Sequence, residues 1–169
     1  MQDKTTPDEG KASEQTPKGA PGETVRFPDG LYKFYTHLTN INVINMDPSG
    51  SGTVKHVVNL YHDNNEPQST WRLSYQASFD GYLIRNGKVD RLALGVFNYS
   101  DVYAVDSSDM VPWSQHWVFK NAGTDVVYIE CESNGHVLDV EGSGMADGTK
   151  IIAWPYKGSA NQKFKLVRV

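Results

Sequence analysis

Hydrophobic residues fall in short runs along this chain, and turn residues end each run after a few positions. Runs rich in β-branched and aromatic residues occupy 57–61, 126–129 and 150–154, and each pattern predicts a strand. Asp-Gly or Asn-Gly pairs, which are typical of tight turns, stand between the runs at 29–30, 80–81, 86–87, 134–135 and 147–148. From position 27 onward no segment sustains a helical period. The pattern predicts an all-β domain.

A short motif recurs within the β-rich part of the chain. Residues 114–119 read Ser-Gln-His-Trp-Val-Phe and residues 161–166 read Asn-Gln-Lys-Phe-Lys-Leu. A looser copy at 68–71, Gln-Ser-Thr-Trp, has one extra residue between the glutamine and the aromatic side chain. The aromatic residues Trp71, Trp117 and Phe164 are therefore 46 and 47 residues apart. This period predicts one supersecondary unit copied three times, over roughly 26–76, 77–122 and 123–169.

The first residues of the chain have a different composition. Residues 2–24 contain no aromatic residue and no Leu, Ile or Val, so they cannot bury enough apolar area to offset their chain entropy. We therefore predict a disordered tail or tether at 1–25 and a folded domain at 26–169. No signal peptide follows Met1. A tether of this kind often lies just inside the cleavage site of an exported or lipid-anchored protein, which favours a secreted or surface location.

Charge and cysteine content narrow the class of protein. The net charge is −4, with acidic and basic residues interspersed, which argues against nucleic acid or anionic membrane as the main partner. No apolar run approaches the roughly 20 residues of a membrane-spanning helix, so direct membrane insertion is not expected. Cys131 is the only cysteine, so the chain can form no internal disulfide, and we expect a small buried strand residue there.

Candidate catalytic and metal-binding patterns are weak. His62, Asp63 and Glu66 lie close together, but their spacing fits neither paired histidine ligands nor a calcium loop, and a polar turn is the better interpretation. The five histidines are scattered, without a recognisable serine or cysteine partner. We expect no metal site, no cofactor and no enzymatic activity.

The third repeat resembles one repeat of the ricin-B-type lectins, a family of β-trefoils. In that family an Asp follows an apolar pair, an aromatic residue lies on a later strand, and the repeat ends in Asn-Gln-x-Trp. The matching residues here are Asp139, Trp154 and the Asn-Gln-Lys-Phe sequence at 161–164. The other two repeats match more weakly. The resemblance implies a β-trefoil with pseudo-threefold symmetry.

The resemblance also implies a structural role for the Gln-x-aromatic motifs. In the family the aromatic residue fills the core and the glutamine hydrogen-bonds the backbone. This assigns five residues to the structural core: Trp71, Trp117, Phe164, Gln115 and Gln162.

Other residues would carry the sugar chemistry. A pyranose presents hydroxyls around its rim and C–H groups on one face, so a lectin needs a carboxylate, an amide and a flat aromatic platform. Asp139, Asn161 and Trp154 supply that set, and Lys157 completes the predicted third-repeat site. In the competing interpretation Trp154 is a core residue and Asp139 a turn acceptor, which leaves a trefoil that binds protein instead of sugar.

The first repeat carries a weaker version of this set. In both the first and third repeats an aromatic residue lies ten positions before the core aromatic, which makes Tyr61 the first-repeat platform. Asn59 stands where the family often has a sugar-binding glutamine, whereas the third repeat has Ile152. The position of the aspartate is taken by an amide. The predicted first-repeat site is Asn45, Asn59, Tyr61 and Asn64.

The second repeat lacks the same features. Ten positions before Trp117 stands Ser107, and the counterpart of Asp139 falls within Arg-Leu-Ala at 91–93, which holds no carboxylate. We expect no sugar site there, unless a local insertion brings Tyr103 into place.

Together these features predict a non-enzymatic lectin for galactose-like or N-acetylgalactosamine-like glycans on glycoproteins or glycolipids. Binding at one shallow site should be weak, on the order of millimolar, so that useful affinity requires multivalency. The alternative is a receptor-targeting or partner-binding subunit of a multi-chain bacterial toxin or haemagglutinin complex, with the tail leading to a membrane anchor or a partner.

Overall fold

The computed structural model describes residues 20–49, 55–106 and 112–169. The predicted tail up to residue 19 and the second-repeat position Ser107 lie outside these ranges. Thirteen strands are described, numbered in chain order: β1 Thr24–Val25, β2 Gly30–Thr36, β3 Asn42–Met46, β4 Lys55–His62, β5 Trp71–Gln76, β6 Gly81–Asn86, β7 Leu92–Phe97, β8 Asp101–Asp106, β9 Trp117–Gly123, β10 Val126–Cys131, β11 Val137–Val140, β12 Ile151–Trp154 and β13 Phe164–Arg168. Short 3₁₀ helices lie at Pro67–Ser69, Pro112–Gln115, Glu141–Ser143 and Ala160–Gln162.

The strands pair antiparallel in a pattern that recurs three times. In the first unit, β2 to β5, strand β2 pairs with β3 and β5, and β3 pairs with β4. The second unit, β6 to β9, and the third unit, β10 to β13, repeat these pairings. The last strand of each unit then pairs with the first strand of the next: β5 with β6, β9 with β10, and β13 with β2. Six strands therefore close into a barrel without a free edge, and the all-β prediction is confirmed.

The aromatic residues of the recurring motif lie in the barrel core. Trp71, Trp117 and Phe164 begin β5, β9 and β13 and are fully buried. The indole Nε1 of Trp71 donates to the carbonyl of Ile44 at 2.9 Å, and that of Trp117 donates to the carbonyl of Leu94 at 2.8 Å. A buried indole N–H needs such a partner. Equivalent strands of the first two units are therefore tied together in the same way.

The sheet starts before the predicted domain boundary. Thr24 and Val25 form β1 and pair with Lys120 and Phe119 of β9. Val25 is buried. The backbone of Gly22 also donates to the carbonyl of Asn121 at 2.8 Å. Residues 22–25, which the sequence assigned to the tail, thus belong to the folded part of the chain, because a single apolar residue beside a polar stretch can still be buried by strand pairing.

Candidate functional site

The β11–β12 hairpin positions the predicted third-repeat residues. Its register places Asp139 opposite Ile152, and Val137 opposite Trp154. Residues directly opposite in an antiparallel pair, and residues two apart along a strand, project from the same face of the sheet. Asp139, Ile152 and Trp154 therefore share one face. The 3₁₀ helix Ala160–Gln162 brings Asn161 to the same place, since Asn161 Nδ2 donates to Asp139 Oδ1 at 3.0 Å.

Asp139 is an internal hydrogen-bond acceptor. Asp139 is only 5% exposed. Oδ2 accepts from Gln162 Nε2 at 2.8 Å, while Oδ1 accepts from Asn161. Burial raises the pKa of the Asp139 carboxyl, and the hydrogen bonds from Gln162 and Asn161 and the charge of Lys157 offset part of that rise. An ionised carboxylate has about four acceptor positions, and protein amides fill two of them. The carboxylate of Asp139 is therefore largely covered by the protein and does not face an open pocket.

Gln162 connects this carboxylate to the backbone after β12. Its Nε2 also donates to the Pro155 carbonyl at 3.0 Å, and its Oε1 accepts from the backbone N–H of Lys157 at 2.7 Å. In the second unit, Gln115 Nε2 points to the Val105 carbonyl at 3.4 Å. The glutamines of both motifs therefore bond the main chain at the end of the unit's third strand.

Trp154 gives the site its open aromatic surface. It ends β12 and is 44% exposed, so the interpretation of Trp154 as a core residue is wrong. The ammonium Nζ of Lys157, an exposed residue, lies 6.0 Å from the centroid of the Trp154 ring. An exposed ring beside a cationic donor and a partly exposed amide is an arrangement that suits a sugar, which has both C–H faces and hydroxyls.

The predicted residues of the first unit lie at the same register as those of the third, but its two cross-strand asparagines bond each other inside the protein. Asn45 lies opposite Asn59, and Asn45 Nδ2 donates to Asn59 Oδ1 at 2.9 Å. Both residues are buried. Tyr61 is half-buried with its ring stacked on the His62 ring, at 4.6 Å between centroids, and Asn64 is exposed. The polar pair at this position is therefore bonded inside the protein, and of the four predicted residues only Tyr61 and Asn64 offer appreciable surface.

The first-unit motif carries a serine at the glutamine position. Ser69 lies two positions before Trp71, as Gln162 lies two before Phe164, and each ends a 3₁₀ helix. Ser69 Oγ donates to Asn45 Oδ1 at 2.8 Å, which parallels the bond from Gln162 to Asp139. The interpretation of Gln68 as the motif glutamine with an extra residue is therefore wrong. The signal in the sequence was that, in all three motifs, this polar residue lies two positions before the core aromatic residue.

The second unit also differs from its predicted alignment. The Leu94 carbonyl accepts from Trp117 and the Ile44 carbonyl accepts from Trp71, so Leu94 and Ile44 are equivalent positions. The residue after each, Gly95 or Asn45, is then the counterpart of Asp139. The position predicted within 91–93 is wrong, although the conclusion that no carboxylate stands there holds.

Two inserted residues explain the shift. Gly95 pairs with Tyr103, and two residues later Val105 occupies the platform position. Val105 lies twelve residues before Trp117, whereas the first and third units have ten. The insertion does bring Tyr103 to the register of Ile152, but its ring packs edge-on against Phe97 at 5.6 Å and under the Lys55 ammonium at 4.3 Å.

Two polar residues of the 62–66 segment, His62 and Asp63, make contacts that hold the fold together. His62 Nδ1 lies 2.6 Å from Asp147 Oδ2, which fastens the loop before β12 onto β4. Asp63 accepts from Lys33 Nζ at 2.9 Å and from Tyr35 Oη at 2.5 Å. Within the described ranges no group of three or more His, Cys, Asp or Glu side chains could hold a metal ion. Among the same residues, no helix has the length and apolar character needed to cross a membrane.

A family model for ricin-type β-trefoil lectin-like domains matches residues 113–169. The resemblance to ricin-type β-trefoil lectins is confirmed. The match spans the third unit, where the sequence carries the full motif frame. No curated protein matches the chain in sequence.

Solved structures share the fold at low identity. The designed threefold-symmetric protein ThreeFoil has a TM-score of 0.74 and 23% identity, covering 83% of this chain and 100% of that one. The Rhizoctonia solani agglutinin has a TM-score of 0.70 and 20% identity, covering 87% and 100%. A mosquitocidal holotoxin has a TM-score of 0.73 and 18% identity, covering 83% of this chain and 16% of that one. At these identities the likeness establishes the β-trefoil fold alone.

Proposed function

We propose that this protein is a non-enzymatic lectin that binds galactose-like or N-acetylgalactosamine-like glycans at its third unit. The observation that carries the proposal is the exposed Trp154 ring beside Lys157 and Asn161. The ricin-type match over the same segment and the structural likeness to an agglutinin support it.

The hydrogen bonds at the site suggest a role for each side chain. Both N–H groups of Asn161 are engaged, since Nδ2 donates to Asp139 Oδ1 at 3.0 Å and to the Val140 carbonyl at 3.2 Å. The Asn161 Oδ1 atom takes part in neither bond and would accept a sugar hydroxyl hydrogen. Lys157 would donate to a sugar oxygen, and Trp154 would cover the C–H face of the ring. Asp139 would act mainly by holding Asn161 in place.

Contacts in more than one unit would give the protein its avidity. One shallow site should bind a monosaccharide with a dissociation constant on the order of millimolar, or about −4 kcal/mol. Tyr61 and Asn64 of the first unit would add weaker contacts to a multivalent glycan surface. Such a lectin would act on glycoproteins or glycolipids outside the cell, as a secreted or surface-attached protein.

A matched pair of variants tests the proposal. Trp154→Ala should abolish binding of the isolated chain to galactose- and N-acetylgalactosamine-terminated glycans on an array, and the thermal melting curve should stay unchanged because Trp154 is exposed. Met145→Ala removes another exposed apolar side chain of the third unit and should bind normally. Absence of wild-type binding to any glycan on the array would refute the proposal.

A second candidate function is a partner-binding subunit of a multi-chain toxin or haemagglutinin complex. Two observations favour it: the carboxylate of Asp139 is buried, and the buried Asn45–Asn59 pair is hydrogen-bonded inside the protein. The likeness to one part of a mosquitocidal holotoxin is compatible with it. Pull-down from native extract in the presence of excess galactose separates the two functions, because a protein partner would stay bound while a glycoprotein ligand would be released.

A further inference from the structure

The turn between β7 and β8 has an unfavourable residue at its tip. The backbone N–H of Ser100 donates to the Phe97 carbonyl at 3.2 Å. Both central residues have positive φ, 45° at Asn98 and 68° at Tyr99, which defines a type I′ turn. Asn-Gly is the preferred pair for this turn, because a bulky side chain is strained at positive φ. Tyr99 therefore occupies a position where glycine would be more stable.

Burial does not compensate for this strain, since Tyr99 is 80% exposed. Backbone strain that the rest of the fold maintains is a reason to look for a function of the residue. An exposed aromatic ring gives no packing energy to the free protein, so the ring is best explained by something that binds it.

The turn is fixed against the third unit. The Tyr99 carbonyl accepts from Asn134 Nδ2 at 3.1 Å and from His136 Nδ1 at 2.9 Å. The next carbonyl, that of Ser100, accepts from the backbone N–H of Ala153 at 2.8 Å. Ala153 directly precedes the Trp154 platform. The second unit thus presents Tyr99 at a defined place beside the candidate sugar site.

The contact between β8 and β12 brings the residues that carry the two exposed rings to the same end of the sheet. β8 and β12 pair antiparallel with Asp101 opposite Ile152. Tyr99 lies in the turn just before β8, next to Ser100, and Trp154 ends β12, next to Ala153, so the backbone bond between Ser100 and Ala153 brings the two residues close together. Both side chains are exposed at this end of the sheet, 80% for Tyr99 and 44% for Trp154, so one short glycan could contact both.

We propose that Tyr99 forms a second aromatic subsite and that the ligand is an oligosaccharide, with one sugar on Trp154 and the next on Tyr99. This inference rests on the proposed lectin function. It assigns to the second unit, which lacks a carboxylate at Gly95, a binding role at its neighbour's site.

The test compares a monosaccharide with disaccharides by isothermal titration calorimetry. The ligands are galactose, N-acetyllactosamine and β-1,3-linked galactobiose, each disaccharide with galactose at its non-reducing end. The wild-type protein should bind at least one disaccharide about five- to tenfold more tightly than galactose. Tyr99→Gly should remove this gain and leave galactose affinity unchanged. Its melting temperature should equal or exceed that of the wild type, because glycine relieves the positive φ.

Control variants separate the effect of the Tyr99 ring on binding from the effect of backbone strain in the turn. Asn98→Gly relaxes the same turn but keeps Tyr99, and Tyr99→Phe keeps a ring, so both should retain the disaccharide gain. Tyr99→Asn tolerates positive φ without a ring and should lose the gain even if the glycine variant folds poorly.

The failures are distinguishable. Full disaccharide gain in both Tyr99→Gly and Tyr99→Asn would overturn the subsite while galactose binding still supported the lectin. Equal wild-type affinity for galactose and for both disaccharides would also overturn it. No wild-type binding of galactose or either disaccharide would overturn the lectin proposal together with this inference.

Discussion

The carboxylate of Asp139 accepts a buried hydrogen bond of 2.8 Å from the side-chain amide of Gln162. Gln162 belongs to the motif that holds the third unit together, and Asp139 belongs to the candidate sugar site. The motif and the candidate site therefore share one hydrogen-bond network. The same bond is present in simpler form in the first unit, where Ser69 donates to Asn45 at 2.8 Å. A change at this carboxylate should alter both binding and stability.

Asp139→Ala should therefore destabilise the protein as well as weaken glycan binding. Gln162 and Asn161 would each lose one acceptor while retaining their bonds to the Pro155 and Val140 carbonyls. The expected loss of unfolding free energy is about 1–3 kcal/mol, measured by urea denaturation. An unchanged midpoint together with lost binding would show that the carboxylate acts only on the ligand.

Trp117 tests the structural role of the motif. Trp117→Ala should cost about 3–5 kcal/mol of unfolding free energy, because it empties a core position of a large aromatic side chain. Trp117→Phe should cost less, since it keeps a ring and removes mainly the hydrogen bond to the Leu94 carbonyl. Urea denaturation measures both. A Trp117→Ala protein as stable as the wild type would contradict the assignment of the motif to the core.

The spacing of the core aromatics allowed the fold and much of the candidate site to be predicted. A ten-residue interval between platform and core aromatic correctly aligned Tyr61 with Trp154, and the strand register agrees. The interval failed in the second unit, where it is twelve residues and Val105 takes the position. Only the strand pairing reveals such an insertion, because alternation of apolar and polar residues fixes a face and not an alignment between repeats.

The burial of Asp139 could not be predicted from the sequence pattern. Asp139 alternates with apolar neighbours in β11, and this pattern is the same for an aspartate that faces solvent and for one that is covered. What covers it are Asn161 and Gln162, 22 and 23 residues further along the chain. Whether they reach Asp139 depends on how the 3₁₀ helix that precedes β13 packs against β11, which is a tertiary feature.

Truncation at the N-terminus should locate the start of the folded chain. A variant that begins at Ala20 should match the full-length protein in stability, because the segment removed has no large apolar residue except Met1. A variant that begins at Arg26 loses β1 and the buried side chain of Val25. It should lose about 2 kcal/mol or more of unfolding free energy. Identical melting curves for the two variants would show that β1 contributes nothing.

Asp63 should govern part of the acid sensitivity of the protein. Burial raises its pKa, but hydrogen bonds from Tyr35 and Lys33 outweigh that effect and hold the Asp63 pKa below its usual value. A folded-state pKa below the unfolded one stabilises the protein above about pH 4, and this contribution is lost as the pH falls through the folded value. Asp63→Asn should therefore flatten the acid limb of stability below about pH 4, measured by urea denaturation.

The pKa of Tyr35 tests the same Tyr35–Asp63 hydrogen bond independently, at high pH. Burial and the hydrogen bond to Asp63 raise the pKa of Tyr35 to about 12, so its contribution to stability is present below about pH 10 and lost as the pH rises through 12. In Asp63→Asn the Tyr35 pKa should fall toward its ordinary value, seen by absorbance titration of tyrosinate. Asp90→Asn, which changes an exposed aspartate paired with Arg72, serves as the control and should leave this titration unaltered.

Ile152→Gln should strengthen galactose binding. Ile152 is partly exposed and lies opposite Asp139, between the carboxylate and the Trp154 platform. A glutamine there would offer an amide to a sugar hydroxyl, and one added hydrogen bond is worth up to about 1.5 kcal/mol. The shorter Ile152→Asn is the matched control. At the same register in the first unit, Asn59 is hydrogen-bonded to its cross-strand partner Asn45. An asparagine at 152 should likewise bond Asp139 and leave the affinity for galactose unchanged. Calorimetric titration with galactose distinguishes them. Unchanged binding by Ile152→Gln would mean that the sugar does not approach this face, and the site would have to lie elsewhere on the protein.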